Sequence, residues 1–196
     1  MMWLSRRWCA VLLMIGTFLA SSPAGVGGVD WDTLLAGEVV VETVQHPEGF
    51  SGLRASFTVA AGRERIWAVL VDYANFPKLF PDIQKMRVLA QDQYGAQVEF
   101  WVNAIMAHYH YVLSRRYDEP GRRLTWTRLA GDLKRIEGSW EMRDTPRPDV
   151  HLLVYESYVD IGGVIPKALV RMEAMRKLRE MGLRLRSWME GRPMPE

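Results

Sequence analysis

Residues 166–190 read PKALVRMEAMRKLREMGLRLRSWME, and they decide the architecture. Ala168, Met172, Met175, Leu178, Met181, Leu185, Trp188 and Met189 recur at intervals of three and four, the spacing of one stripe on a 3.6-residue helix. Arg171, Arg176, Lys177, Arg179, Arg184 and Arg186 fill the remaining circumference. Pro166 suits a first turn, where its missing N–H has no helical partner to lose, and Gly191 followed by Pro193 marks the stop. About 25 residues make a helix of about 37 Å. With one long apolar stripe, such a helix needs a broad apolar surface to lie on.

That surface is written upstream with a period of two. Met86–Ala90, Ala96–Met106, Tyr109–Tyr117, Arg122–Leu129, Leu133–Met142 and Val150–Asp160 read as six strands. Turn residues separate them: Asp92 to Gly95, Asp118 to Gly121, Gly131-Asp132 and Pro146 to Asp149; only Ala107-His108 carries no such signal. Glu38–Gln45 and Leu53–Val59 form an earlier hairpin around His46-Pro47-Glu48-Gly49. Its second strand alternates Leu53, Ala55, Phe57 and Val59 against Arg54, Ser56 and Thr58. Between hairpin and meander, Gly62–Val71 switches to helical spacing, with Ile66, Trp67 and Leu70 on one face. Asp72 to Pro77 breaks that helix, and a second short one starts with Asn75 as its cap and ends by Pro81. The expectation is an α+β fold: a strongly curved antiparallel sheet wrapped around a long C-terminal helix, with two short helices inserted between early strands.

The termini divide off. Arg6 and Arg7 precede an apolar run, Cys9–Ala20, and Ser22-Pro23-Ala24 offers small residues for cleavage, so residues 1–24 read as a secretory signal and the destination as the periplasm. The run falls short of the roughly 20 apolar residues a membrane span requires, which disfavours an uncleaved anchor. Residues 25–36 read as a flexible lead-in with one helical turn at Trp31–Leu35, 37–191 as a single domain, and 192–196 as a disordered tail. The sole cysteine, Cys9, leaves with the signal, which excludes a cysteine nucleophile, a disulfide and a thiolate metal site from the mature chain. Loss of the signal also lowers Lys+Arg from 25 to 23, against 23 Asp+Glu. A mature charge near zero and the absence of a basic arm give no support to nucleic-acid binding. Residues 166–190 do carry seven Lys/Arg against three Glu, a solvated helix face with a secondary capacity for transient contact with an anionic membrane surface.

The stretch Val59-Ala60-Ala61-Gly62-Arg63-Glu64-Arg65-Ile66-Trp67-Ala68-Val69-Leu70-Val71-Asp72-Tyr73-Ala74-Asn75-Phe76-Pro77-Lys78-Leu79-Phe80-Pro81 resembles the opening of the START-like, polyketide-cyclase and coenzyme Q-binding families of the helix-grip superfamily. Gly138-Ser139-Trp140-Glu141-Met142 and the approach Gly162-Gly163-Val164-Ile165-Pro166 resemble the same families, so the resemblance runs over residues 53–190. It implies a hydrophobic cavity between sheet and long helix, entered near the two short helices and the loops, that takes one apolar molecule such as a lipid, quinone or polyketide without a cofactor. The residues expected to line it are Trp67, Tyr73, Phe76, Phe80, Phe100, Tyr109, Tyr111, Arg115, Trp126, Trp140, Met172, Met175 and Met181. Aromatic rings and adaptable methionines suit an irregular apolar ligand; equally, the same residues make an ordinary core.

Residues with chemistry are few. His108 and His110, at i and i+2, share a strand face, but no third ligand is evident, and exposed strand histidines are the simpler account. No nucleophile elbow, phosphate-cradling glycine loop or His-Glu-x-x-His pattern occurs. Glu99, Glu156 and Asp160 are expected on solvent faces or strand ends, and Asp72 and Tyr73 in a structural role ending the first helix. Arg115 shares a face with Tyr109, Tyr111 and Leu113 and is a candidate for a ligand head group; the alternation leaves open which face of that strand is inward. No catalytic residue and no metal site is assigned. A binding protein is therefore expected, and the alternative is a cyclase or aromatase, which needs a pair of titratable groups facing the cavity.

Overall fold

The computed structural model describes residues 30–104, 107–161 and 167–195. Residues 31–196 form one compact unit. The expected signal (1–24), the start of the lead-in, the end of the Ala96–Met106 strand and the Gly162–Pro166 approach all lie outside the described residues.

The chain runs α1 (Trp31–Leu35), β1 (Val40–Gln45), β2 (Ser51–Val59), α2 (Arg63–Val71), a single 3-10 turn (Tyr73–Asn75), α3 (Phe76–Leu79), β3 (Ile83–Asp92), β4 (Gly95–Ala104), β5 (Ala107–Glu119), β6 (Arg123–Gly131), β7 (Arg135–Asp144), β8 (His151–Asp160) and α4 (Lys167–Met189). The eight strands make one antiparallel sheet in the order β1-β2-β8-β7-β6-β5-β4-β3. This is the helix-grip architecture expected from the residue pattern. The first hairpin closes against the last strand, with Phe57 opposite Leu153, while α2 and α3 carry the chain across to the far edge.

One sheet face is apolar because the alternation of neighbouring strands is in register. Phe57 meets Leu153, Leu153 meets Met142, Tyr155 meets Trp140, Arg115 meets Trp126, and Tyr111 meets Phe100. Bulges between Ile83 and Lys85, between Val88 and Ala90 and between Val112 and Leu113 bend the strands. Gly138, opposite Trp126, lets the sheet close up: a Cβ there would stand 2.1 Å from the Glu156 carbonyl oxygen and 2.5 Å from the Trp126 ring. The two rings either side of it, Trp126 and Tyr155, consequently stack at 5.4 Å across an intervening strand.

The second half of α4 is the part that packs. Gly182, Leu185, Arg186 and Met189 are buried, and the absence of a side chain at Gly182 brings the helix onto Val39 and Phe57. Met175, Leu178, Met181 and Trp188 lie against the core but half-buried. Two expectations for the helix are corrected. Ala168 and Met172 are not on a buried stripe: both are exposed, Met172 at 65%, because the helix packs through its second half, at Gly182, Leu185, Arg186 and Met189. Arg186 is not on the solvent side. It is buried and donates to three backbone carbonyls, from Nε to Thr58 (2.8 Å), Nη1 to Gly37 (2.5 Å) and Nη2 to Glu38 (3.3 Å).

The expected tail is placed through residue 195: Met194 packs on the core, and Arg184 donates to the Pro195 carbonyl. Asn75 does not cap α3 with its side chain, which donates instead to Asp72 Oδ2 at 2.6 Å. Among the described residues no helix is long and apolar enough to cross a membrane.

Candidate functional site

The face of β5 left open by the alternation is resolved by its partners. Tyr109, Tyr111, Leu113, Arg115 and Tyr117 look inward, each in register with or packed against the core, whereas His108, His110 and Arg116 look out. Arg115 is the consequence that matters most. Its side chain is 4% exposed, and its guanidinium carbon lies over the rings of Tyr73 (4.9 Å), Phe76 (5.3 Å) and Trp126 (5.9 Å). The short helices supply two of those rings, and Nη2 reaches the Leu70 carbonyl at the end of α2 at 3.5 Å. Nε is buried with no hydrogen-bond partner, and among the described residues no carboxylate pairs with this cation. Burial pushes the guanidinium pKa down, and the phenols of Tyr73, Tyr117 and Tyr155 oppose that shift. A buried cation without a counter-charge costs several kcal/mol.

The phenols are themselves tuned by enclosure. Burial raises the pKa of Tyr73, with Arg115 pulling it back, and burial likewise raises those of Tyr111 and Tyr155. The Tyr73 and Tyr117 hydroxyls lie 3.0 Å apart, so one hydrogen serves that contact and the other is free to be donated elsewhere. Tyr111 and Tyr155 lie deep in the molecule, yet packing does not close either off; both remain half-buried. Inward-facing Val102, Tyr109 and Met86 share that state with Met175, Leu178 and Met181 of α4. Packing is thus complete around Phe57, Leu153 and Leu185, whereas Met175, Leu178 and Met181 of α4 and Tyr109, Tyr111 and Tyr155 of the sheet keep part of their surface open.

The other expected residues fall into place around this. Tyr73, Phe76, Phe100, Trp126 and Trp140 are buried in the core, and Trp67 and Phe80 pack on it half-buried, Trp67 edge-on to Tyr117. Met172 is the one expected lining residue that turns away. Tyr117 and Tyr155 were missed, although Tyr117 sits in the alternating set of Arg115 and Tyr155 lies within the expected Val150–Asp160 strand.

The outer face carries a separate set of ionic contacts. Glu99 is on that face as expected but is only 8% exposed, because His110 Nε2 (2.8 Å) and Arg87 Nε (2.9 Å) cover it; the His110 hydrogen bond leads in holding its carboxyl below the usual range. Glu156 accepts from Arg54 at 2.7 Å and from the Tyr158 hydroxyl at 2.6 Å. His108 contacts Asn103, and among the described residues no group of three or more His, Cys, Asp or Glu could hold a metal. An open recess of about 330 Å³ lies elsewhere, between the Leu35–Gly37 segment and the end of α4. Of its three arginines, Arg186 is engaged by carbonyls and Arg192 by Glu190, and Arg147 is exposed to solvent, so it does not rival Arg115.

A family model described as polyketide cyclase / dehydrase and lipid transport matches residues 59–186, more than half of the chain. No curated protein matches by sequence. Among solved structures, the chain is similar to the STAR-related lipid transfer protein from Xanthomonas axonopodis (TM-score 0.64, 18% identity, 77% of this chain and 93% of that one). It is similar also to human StAR-related lipid transfer protein 5 (0.63, 14%, 79% and 83%). The Zhui aromatase/cyclase from a Streptomyces species is a third (0.56, 17%, 78% and 93%). At these identities the likeness is one of fold.

Proposed function

We propose, for a chain that belongs to the polyketide cyclase/dehydrase and lipid transport family, that it is a carrier binding one apolar or amphipathic molecule between the inner face of the sheet and the first half of α4. The observation that carries this reading is the half-buried state of Tyr111 and Tyr155, deep side chains with no packing partner over part of their surface. An apolar ligand laid there gains about 25 cal/mol per Å² of apolar surface removed from water, and the aromatic and methionine walls accept an irregular shape. Neighbours named as lipid transfer proteins and an aromatase/cyclase support a hydrophobic ligand in general. The carrier acts after export, with residues 1–24 as the signal. Exposed Leu169 and Met172 suit a transient contact with the membrane where the ligand is collected.

The second reading, a cyclase, is favoured by the Tyr73–Tyr117 hydroxyl pair beside Arg115. The Tyr73 phenol, whose pKa burial has raised, is a proton donor at neutral pH, however, and among the described residues the ionisable groups acting on Arg115 are phenols, with no carboxylate or imidazole to take a proton. The carrier is therefore the better supported.

The test is organic extraction and mass spectrometry of the protein expressed from the full chain and purified from the periplasm. A stoichiometric apolar molecule is expected, retained by Met172→Glu and lost in Met175→Glu, since Met175 lies against the interior and Met172 faces out. Equal retention by the two folded variants would refute the placement. Recovery of the protein in the cytoplasm with residues 1–24 intact would refute export.

A further inference from the structure

We infer that the head group of the bound molecule is an oxyanion, in the simplest case a carboxylate, held by Arg115; the inference rests on the carrier reading above. Among the described residues the other buried or half-buried cations are matched. Arg54 has Glu156, Arg143 has Glu141, Lys177 has Asp82, and buried Arg186 has three carbonyl oxygens. Arg115 is as buried as Arg186 and has one long contact to the Leu70 carbonyl, three ring faces and an unpartnered Nε. Ring faces attract a cation through their quadrupoles, but they lie above and below it and leave its in-plane N–H groups without acceptors.

A neutral alcohol or ester oxygen accepts one such N–H and leaves the charge uncompensated. An oxyanion does both, and its second oxygen can take the hydrogen that the Tyr73–Tyr117 pair does not use. Its tail then continues along the half-filled band toward Tyr111, Tyr109 and Met175, which carries no charged group facing inward on β5 before its start at Ala107. Acidity of the head is thus a selection rule written by one side chain, whereas the identity of the tail is left to shape.

The experiment compares the fluorescent polyene cis-parinaric acid with its methyl ester and the corresponding alcohol, each titrated into delipidated full chain near neutral pH. The expected result is a preference of about ten- to a hundredfold for the acid, the weight of one charge-assisted hydrogen bond. Arg115→Gln should abolish the preference by lowering affinity for the acid at least tenfold more than affinity for the ester, and Arg115→Lys should retain part of it. A purely structural Arg115 moves all three affinities together and overturns the inference. Equal affinity of the wild-type chain for acid, ester and alcohol overturns it while the carrier reading stands, and this arm needs no variant to fold. Failure of all three probes to bind overturns both.

Discussion

Arg186→Met isolates what a buried arginine does when its partners are all backbone. The wild-type guanidinium ties α4 to two other segments, donating to Gly37 and Glu38 before β1 and to Thr58 in β2. Methionine keeps the stem and volume but offers no donor, so three carbonyl oxygens lose their partner where water has little access; the arginine is 7% exposed. A hydrogen bond to a charged group contributes about 1.5–3 kcal/mol. Three would total more than the substitution can cost, because burial already penalises the charged form here, as the lowered pKa of Arg186 shows. Each buried acceptor left unsatisfied costs about 1–3 kcal/mol, and removal of the desolvated charge offsets part of the sum, so the net loss is about 3–5 kcal/mol. For a chain of this size that lowers the melting temperature by roughly 6–20 °C, read by far-ultraviolet circular dichroism. Arg176→Met is the control: that arginine contacts Glu173 and Glu180 on the exposed side of the same helix, and its loss should leave the midpoint where it was. If the two variants melt together, the carbonyls are satisfied in some other way and the reasoning fails.

Other expectations follow from the same packing. Leu185→Ala, at a position 1% exposed against the core, should cost about 2–5 kcal/mol by transfer and cavity terms, measured by urea titration; a loss below about 1 kcal/mol contradicts the docking of α4 by its second half. Gly138→Ala places a methyl against the Glu156 carbonyl and the Trp126 ring, so it should lower the melting temperature and weaken the near-ultraviolet dichroism of the Trp126–Tyr155 stack; an unchanged spectrum speaks against that stack. Burial raises the folded-state pKa of Tyr73, Tyr111 and Tyr155 and pushes that of Tyr158 up to about 12. Groups raised above their unfolded value stabilise fully below about pH 10 and lose that contribution as pH climbs through the folded values, so tyrosinate absorbance from these four should appear only with unfolding. Titration of all seven tyrosines in a still-folded chain would exclude it.

The strand periods, the turn chemistry at His46–Gly49 and the stop at Gly191 were legible because each is a local property of the backbone or of alternation. Phe57, Phe100, Trp126 and Trp140 could be put on one face for the same reason. Edge strand β3 was read too short, as Met86–Ala90 rather than Ile83–Asp92, because an exposed edge tolerates Lys85, Arg87 and Asp92 and so erases the alternation. Met172 was misplaced because a 3.6-residue stripe says which residues share a line, not which part of the helix has a sheet beneath it. Arg186 was put in solvent because the carbonyls that justify its burial come from residues about 130 to 150 positions away. Which side of β5 Arg115 takes was open for a related reason: both alternating sets mix polar and apolar residues, and only pairing with Trp126 and Ala96 settles it.

Arg115 and Arg186 together separate structure from site in this molecule. Both are arginines buried to a similar degree, both have pKa values lowered by burial, and both lie near aromatic rings, Phe57 in the case of Arg186. They differ in where their N–H groups go. Every donor group of Arg186 that the interior encloses ends on a carbonyl of a neighbouring segment, so its role is complete without any other molecule. Arg115 sits where α2, α3 and three strands converge, and among the described residues the one acceptor they offer is a carbonyl at 3.5 Å. A protein that needed only stability at that position would do as well with methionine or leucine, since replacing a buried charge by a well-packed apolar group is often neutral or stabilising. The cation therefore has its purpose outside the folded chain, in a partner that arrives with the charge the fold withholds.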